Sequence, residues 1–191
     1  MGVPNIREFN MTLLASWGKR FFEHNNGDSK KIISDKYEVG SPNILWAKDA
    51  RGSTFWKSIT SALNASGVFY KWKLGNGVNI NFWHGTWVGD CSLKVQFWDL
   101  FEICNQVDSS VAEVWDGRNL KLSFRRCVDH EGMVRWGQLV ALVRTYPIKT
   151  EPDTPIWTLV SNGVYSVKSF DSKINFGGVV PLVGVENSMS T

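Results

Sequence analysis

Apolar side chains recur every three or four residues at the start of the chain. Ile6, Phe9, Leu13, Trp17 and Phe21 fall on one face, which predicts a helix over residues 5–25 with that stripe inward. Asn5 is placed to cap it, and Glu8 three residues later to complete a capping box; Asn25-Asn26-Gly27 closes it. A second helix fits Ser29 to Tyr37 with Ile32, Ile33 and Tyr37 inward, before Gly40-Ser41-Pro42 breaks the pattern. Ser53 is the cap of a third, running through Phe55, Trp56, Ile59 and Leu63 and ending at Gly67.

The period then falls to two. Trp72 and Leu74 alternate with Lys71, Lys73 and Gly75; beyond Gly75-Asn76-Gly77, Val78, Ile80 and Phe82 alternate with Asn79 and Asn81. An Asn-Gly pair between two alternating runs predicts a hairpin, because both turn positions need positive φ. The same order returns as Trp157-Thr158-Leu159, then Asn162-Gly163, then Val164-Tyr165-Ser166-Val167, with a loop one residue longer. It is similar local chemistry rather than a proven repeat. Between the hairpins, Leu93 to Cys104 places Phe97, Leu100, Phe101 and Cys104 at helical spacing. Asn119 to Phe124 alternates as a short strand, and Glu131 to Tyr146 is helical, with Val134, Leu139, Leu142 and Val143 apolar. Thr150 to Pro155 reads as a linker. The sum is an α+β fold, short helices with two Asn-Gly β-hairpins. It divides into a helical segment 1–68, a mixed segment 69–175 and a disordered tail 176–191.

Composition narrows the function. With 191 residues and 43% hydrophobic, the chain is long enough for one domain or two small ones, and wholesale disorder is excluded. Ten Trp within 13% aromatic residues imply a core, a ligand surface, or both. The formal net charge of +3 is a weak bias beside that of a dedicated nucleic-acid module. Cys91, Cys104 and Cys127 make no C-x-x-C pair, so no disulfide framework is expected and a reducing, intracellular compartment is. No apolar run is long enough to predict a membrane span, and the first residues carry no apolar stretch of a signal peptide.

Catalytic constellations are missing. His24, His84 and His130 each lack a second His or Cys at metal-ligand spacing, so no metal and no cofactor are expected. There is no phosphate-binding Gly-rich loop, no G-x-S-x-G, and no Asp-x-Asp to hold the paired ions of a nucleotidyl transferase. Rings beside cations remain. Cations can grip a phosphate backbone while rings stack on bases. On that chemistry the nucleic-acid candidates are Lys19, Arg20, Lys71, Lys73, Trp83, Trp87, Arg125 and Arg126. Core packing competes for each ring: on a strand Trp72 and Lys73 point to opposite faces. Trp83 and Trp87, four residues apart, would serve equally as an exposed platform for carbohydrate or protein.

The order of motifs resembles the C-terminal region of plant LINE-type (non-LTR) retrotransposon reverse transcriptases. It is carried by Val3-Pro4-Asn5-Ile6, Leu13-Leu14-Ala15 and Trp17, by Lys30-Lys31-Ile32-Ile33, and by Phe55-Trp56-Lys57-Ser58-Ile59. Then come Trp72-Lys73-Leu74-Gly75-Asn76-Gly77, Phe82-Trp83-His84 with Trp87, Phe124-Arg125-Arg126, and Gly163-Val164-Tyr165-Ser166-Val167-Lys168-Ser169. Gly85 stands where the family usually has Asp, and Asp171 where it has Tyr. The resemblance implies a fragment of a larger polymerase thumb or connector, between the palm and the zinc-binding domain, with polymerase ancestry but no catalytic carboxylates. It implies at most residual binding of RNA or an RNA–DNA duplex, and contacts with the missing palm and zinc-binding domains of the parent protein. A Trp-rich binding module, or a retroelement-derived reading frame with no function, are the alternatives.

Overall fold

The computed structural model describes residues 6–22 and 53–176. The helix expected over 29–37 lies outside them, as does the tail expected over 176–191 except for Phe176. The described elements form an α+β arrangement of helices around a small two-stranded antiparallel sheet.

Helix α1 (Ile6–Phe22) forms where the period predicts it, but it turns a different face inward. Ile6 is 81% exposed and Phe9 and Leu13 are also exposed, whereas Thr12 and Ala15 are fully buried. Met11, Leu14 and Trp17 lean against the core from either side. Small side chains decide this: helix axes approach one another only as closely as the contact residues permit. Thr12 and Ala15 let α1 sit against two helices, α2 (Thr54–Gly67) and α7 (Val167–Phe176). Tyr165, just before α7, donates its hydroxyl to the Thr12 carbonyl and fixes that approach. Helix α2 follows its sequence closely. The Ser53 hydroxyl accepts from the Trp56 N–H as an N-cap, and Trp56, Ile59 and Leu63 are buried. Phe55 is exposed instead and meets the edge of Trp17 at 6.4 Å.

The two expected hairpins do not form; the first arm of the first pairs instead with a strand that begins inside the segment read as a linker or loop and ends at Trp157, where the second hairpin was expected to start. Strand β1 (Tyr70–Lys73) runs antiparallel to β2 (Thr154–Trp157), with Tyr70 opposite Trp157 and Lys73 opposite Thr154. Both Asn-Gly turns are present locally. Gly77 and Gly163 take φ of 73° and 69°, and Asn76 and Asn162 each accept the N–H of the Val two residues on. What the first turn lacks is a ladder across it, and across the second a single bond remains, from the Trp157 N–H to the Gly163 carbonyl. The N–H groups of Gly75, Gly77 and Asn79 all donate to the Asp153 carboxylate, at 2.8, 2.9 and 2.9 Å. The arm beyond the first turn therefore leaves β1 and bonds residues 109–111: Phe82 N–H to Ser109, and Val111 N–H to Ile80. The expected linker is thus what organises the turn.

The run predicted as one helix over 93–104 is broken. Helices α3 (Leu93–Gln96) and α4 (Trp98–Ile103) meet at Phe97, whose φ of −129° and ψ of 52° are not helical. After it comes α5 (Val111–Val114), closed by a capping box between Ser110 and Glu113. Residues 119–124 make no strand, only isolated bridges of Leu120 with Trp115 and of Phe124 with Cys104. Helix α6 (His130–Arg144) begins at Asp129, whose carboxylate accepts the Gly132 N–H, and it buries Leu139 and Val143. Val134, expected inward, is exposed. Helix α7 replaces the end of the expected second hairpin and brings Phe170 into the core.

Aromatic rings fill that core. Trp157 lies 4.8 Å from both Tyr70 and Tyr165 and 5.7 Å from Phe170, and its ring N–H donates to Ser169 Oγ at 2.8 Å. Such edge-on packing adds to the large apolar area each ring buries.

Candidate functional site

Of the residues singled out for nucleic-acid contact, the two rings are buried, and the side chains of Lys19 and Arg20 lie outside the described ones. Lys19 and Arg20 lie in the last turn of α1. Lys71 Nζ is 2.6 Å from Asp90 Oδ1. The hydrogen bond and charge of Lys71 hold the Asp90 carboxyl below its ordinary range. Lys73 is exposed at the end of β1.

Trp83 and Trp87 are not a platform. Their exposures are 0% and 4%. Asn81 Oδ1 accepts from the N–H groups of both Trp83 and His84, a tight turn that swings the segment into the core. Trp83 meets the edges of Phe82 and Phe101 at 5.1 and 5.7 Å. Trp87 donates its ring N–H to the Phe82 carbonyl at 3.0 Å and packs on Tyr146. Neither ring is open to a base or a sugar. His84 is likewise a core residue, edge-on to Phe101.

Arg125 and Arg126 are exposed side by side between the Cys104–Phe124 bridge and α6. The Arg125 guanidinium donates to the Glu102 carbonyl at the end of α4. Arg126 lines a groove of about 720 Å³ between α4 and α6.

That groove is built by Arg135. From α6 its Nη2 donates to the Gln96 carbonyl, its Nη1 to Gln138 at 3.2 Å, and its Nε stands 3.5 Å from Asp99. Its plane lies 4.7 Å from the centre of the Phe97 ring. The guanidinium is a strut that joins α3, α4 and α6, with donors directed to fixed acceptors. Leu100, Ile103 and Val128 supply apolar lining, Val95 and Trp98 one wall, and Asp99, Asp129 and Glu131 the negative charge.

Trp98 is 55% exposed, and sequence patterning overlooked it. The signal was present: it falls off the stripe of Phe97, Leu100, Phe101 and Cys104, so the inward face cannot hold it. Lys94, one turn earlier, places Nζ 5.6 Å from the Trp98 ring and 4.8 Å from Phe101. Cys127 lines the groove too. Cys104 is buried behind it, and burial pushes its thiol pKa up.

Among the described residues, no three His, Cys, Asp or Glu side chains gather as metal ligands. Among the same residues, no helix is long and apolar enough to cross a membrane. The arrangement is an open cleft of mixed polar and apolar lining, with a half-exposed ring and fixed charges.

No protein-family model matches the chain, no curated protein matches it, and no solved structure matches its fold.

Proposed function

We propose that the chain is a non-catalytic segment derived from a retrotransposon reverse transcriptase, retaining at most residual binding of RNA or an RNA–DNA duplex. The collinear motifs from Val3 to Ser169 support the ancestry. The observation that carries the binding is the exposed Arg125–Arg126 pair, with Arg125 anchored on the Glu102 carbonyl. A guanidinium fixed in this way loses less freedom when it meets a phosphate.

Burial of Trp83 and Trp87 changes the mode of contact. Without those rings the binding is electrostatic and indifferent to base sequence. Filter binding of an RNA–DNA duplex from about 50 to 200 mM salt checks it. The expected result is saturable binding that weakens with salt, with the slope of log K against log salt reduced by roughly two in the Arg125→Ala/Arg126→Ala double variant. Absence of saturable, salt-sensitive binding refutes the reading.

A second reading, docking of a protein segment, is favoured by the groove itself. Trp98 stands half-exposed among carboxylates, apolar side chains and the guanidiniums of Arg126 and Arg135, the mixed lining of a protein contact surface.

A further inference from the structure

We infer that Trp98 is a stacking ring for an unpaired base, which makes the surface around Arg125 and Arg126 selective for single-stranded nucleic acid over a fully paired duplex. This rests on the nucleic-acid binding proposed above and names the form of nucleic acid that the same surface takes.

Exposure singles the ring out. Among the described tryptophans Trp98 alone is exposed, at 55%. It packs on Phe101, itself in the core, with ring centres 5.6 Å apart and planes inclined at 38°. A ring held from behind has little freedom left to lose when a base lies against it.

Cations border the same ring. Lys94 places Nζ 5.6 Å from its centre. Arg126 lines the groove with it, next to Arg125, whose guanidinium is fixed on the Glu102 carbonyl. The carboxylates of the groove are offset locally. Asp99 stands 3.5 Å from Arg135 Nε, Asp129 caps α6 through the Gly132 N–H, and Glu131 lies in the first turn of α6, where the helix dipole favours it. Arg125, Arg126, Arg135 and Lys94 together outnumber those carboxylates. A ring among cations is the combination that holds phosphate while it stacks on a base.

Base pairing decides which nucleic acid can use it. Inside a duplex each base is already stacked on its neighbours and presents only its edge to a protein. An unpaired base offers its face, to which an aromatic side chain can stack. The groove, at about 720 Å³, is of the size that takes one compact ligand, and a nucleotide is of that kind. Every base has such a face, so Trp98 adds affinity without adding sequence preference.

The probes are a fluorescein-labelled oligoadenylate, a phosphodiester strand of the same length built from abasic units, and a blunt RNA–DNA duplex. Each is titrated against the full chain by fluorescence anisotropy. The oligoadenylate should bind about tenfold or more tighter than the abasic strand; Trp98→Ala removes that advantage and Trp98→Phe keeps most of it. Affinity for the blunt duplex should be unchanged in Trp98→Ala and should fall in the Arg125→Ala/Arg126→Ala double variant. Circular dichroism of each variant confirms that it is folded. Equal affinity for oligoadenylate and abasic strand, or oligoadenylate binding untouched by Trp98→Ala, would overturn the stacking role while duplex binding left the electrostatic reading standing. Equal loss of duplex and oligoadenylate binding in Trp98→Ala would overturn it too, since the ring would then serve only to hold the cations in place. Absence of saturable binding to all three refutes the nucleic-acid reading and the stacking role with it.

Discussion

Asp153 shows how much one side chain can organise. It is a carboxylate only 5% exposed, and it accepts three main-chain N–H groups from a loop more than seventy residues away. Converging N–H groups form a concave seat for an anion, and here the chain fills that seat itself. Hydrogen bonds to a charged acceptor contribute about 1.5–3 kcal/mol each, and a buried donor left unmet costs a similar amount. Asp153→Asn replaces one acceptor oxygen with an NH2 group that faces a donor. The expected loss is about 2–3 kcal/mol, read as a lower urea midpoint with unchanged slope. A variant as stable as the parent would show that the seat is dispensable. The surrounding backbone leaves no slack, since a Cβ on Gly75 would stand 2.3 Å from the Glu151 carbonyl oxygen.

At the scale of elements, periodicity and burial part company. The interval of three or four identifies α1 as a helix, but Ile6, Phe9 and Leu13 of the expected stripe stay exposed while Trp17 packs against the core. Two substitutions separate the alternatives. Leu13→Gln, on the exposed face, should change stability by no more than about 0.5 kcal/mol. Ala15→Leu forces extra methylenes between α1 and its neighbours and should cost about 1–3 kcal/mol. The reverse ranking in thermal or urea unfolding would restore the stripe of Ile6, Phe9 and Leu13 as the packed face. The strands teach a related lesson. Trp72 and Trp157 both open an alternating run before an Asn-Gly pair, and in both pairs the glycine takes positive φ while the Asn side chain accepts the Val N–H two residues on. Partner choice is a separate matter, settled by where the neighbouring N–H groups find acceptors. Trp72 N–H donates to the Thr86 carbonyl, and β1 takes β2 on its other side.

Over the whole molecule, the aromatic core couples the first helix to the last. Tyr70 and Tyr165 both face Trp157, and burial raises both phenol pKa values above the ordinary value near 10; for Tyr70 the neighbouring Tyr165 adds to it. The neutral phenols contribute stability that is fully present below about pH 10. Above that pH the unfolded chain releases protons that the folded chain retains, so stability falls as pH rises toward the raised values. Ultraviolet titration should accordingly show these two tyrosines ionising together with loss of near-ultraviolet circular dichroism. Normal ionisation near pH 10 in a still-folded protein would contradict the packing.

The candidate surface was legible only in part. Arg125 and Arg126 stood out as adjacent cations, and they are exposed. Trp83 and Trp87 looked equally available and are not, because the Asn81 turn that draws them inward is reinforced by neighbours distant in sequence. The Arg135 strut could not be read at all, since it joins residues 39 apart across a helix break at Phe97.

The sequence by itself determined what depends on neighbours within a few residues: the cap at Ser53, the positive φ of Gly77 and Gly163 beside their Asn side-chain bonds, and the existence of α1, α2 and α6. These are local hydrogen bonds and local backbone preferences, and they are written in short patterns. Only the tertiary structure decided which face of α1 is buried, which strand pairs with which, and which tryptophan remains at the surface. Those choices turn on burying apolar area and satisfying buried N–H groups across the whole fold, and both are settled between residues that no short pattern connects.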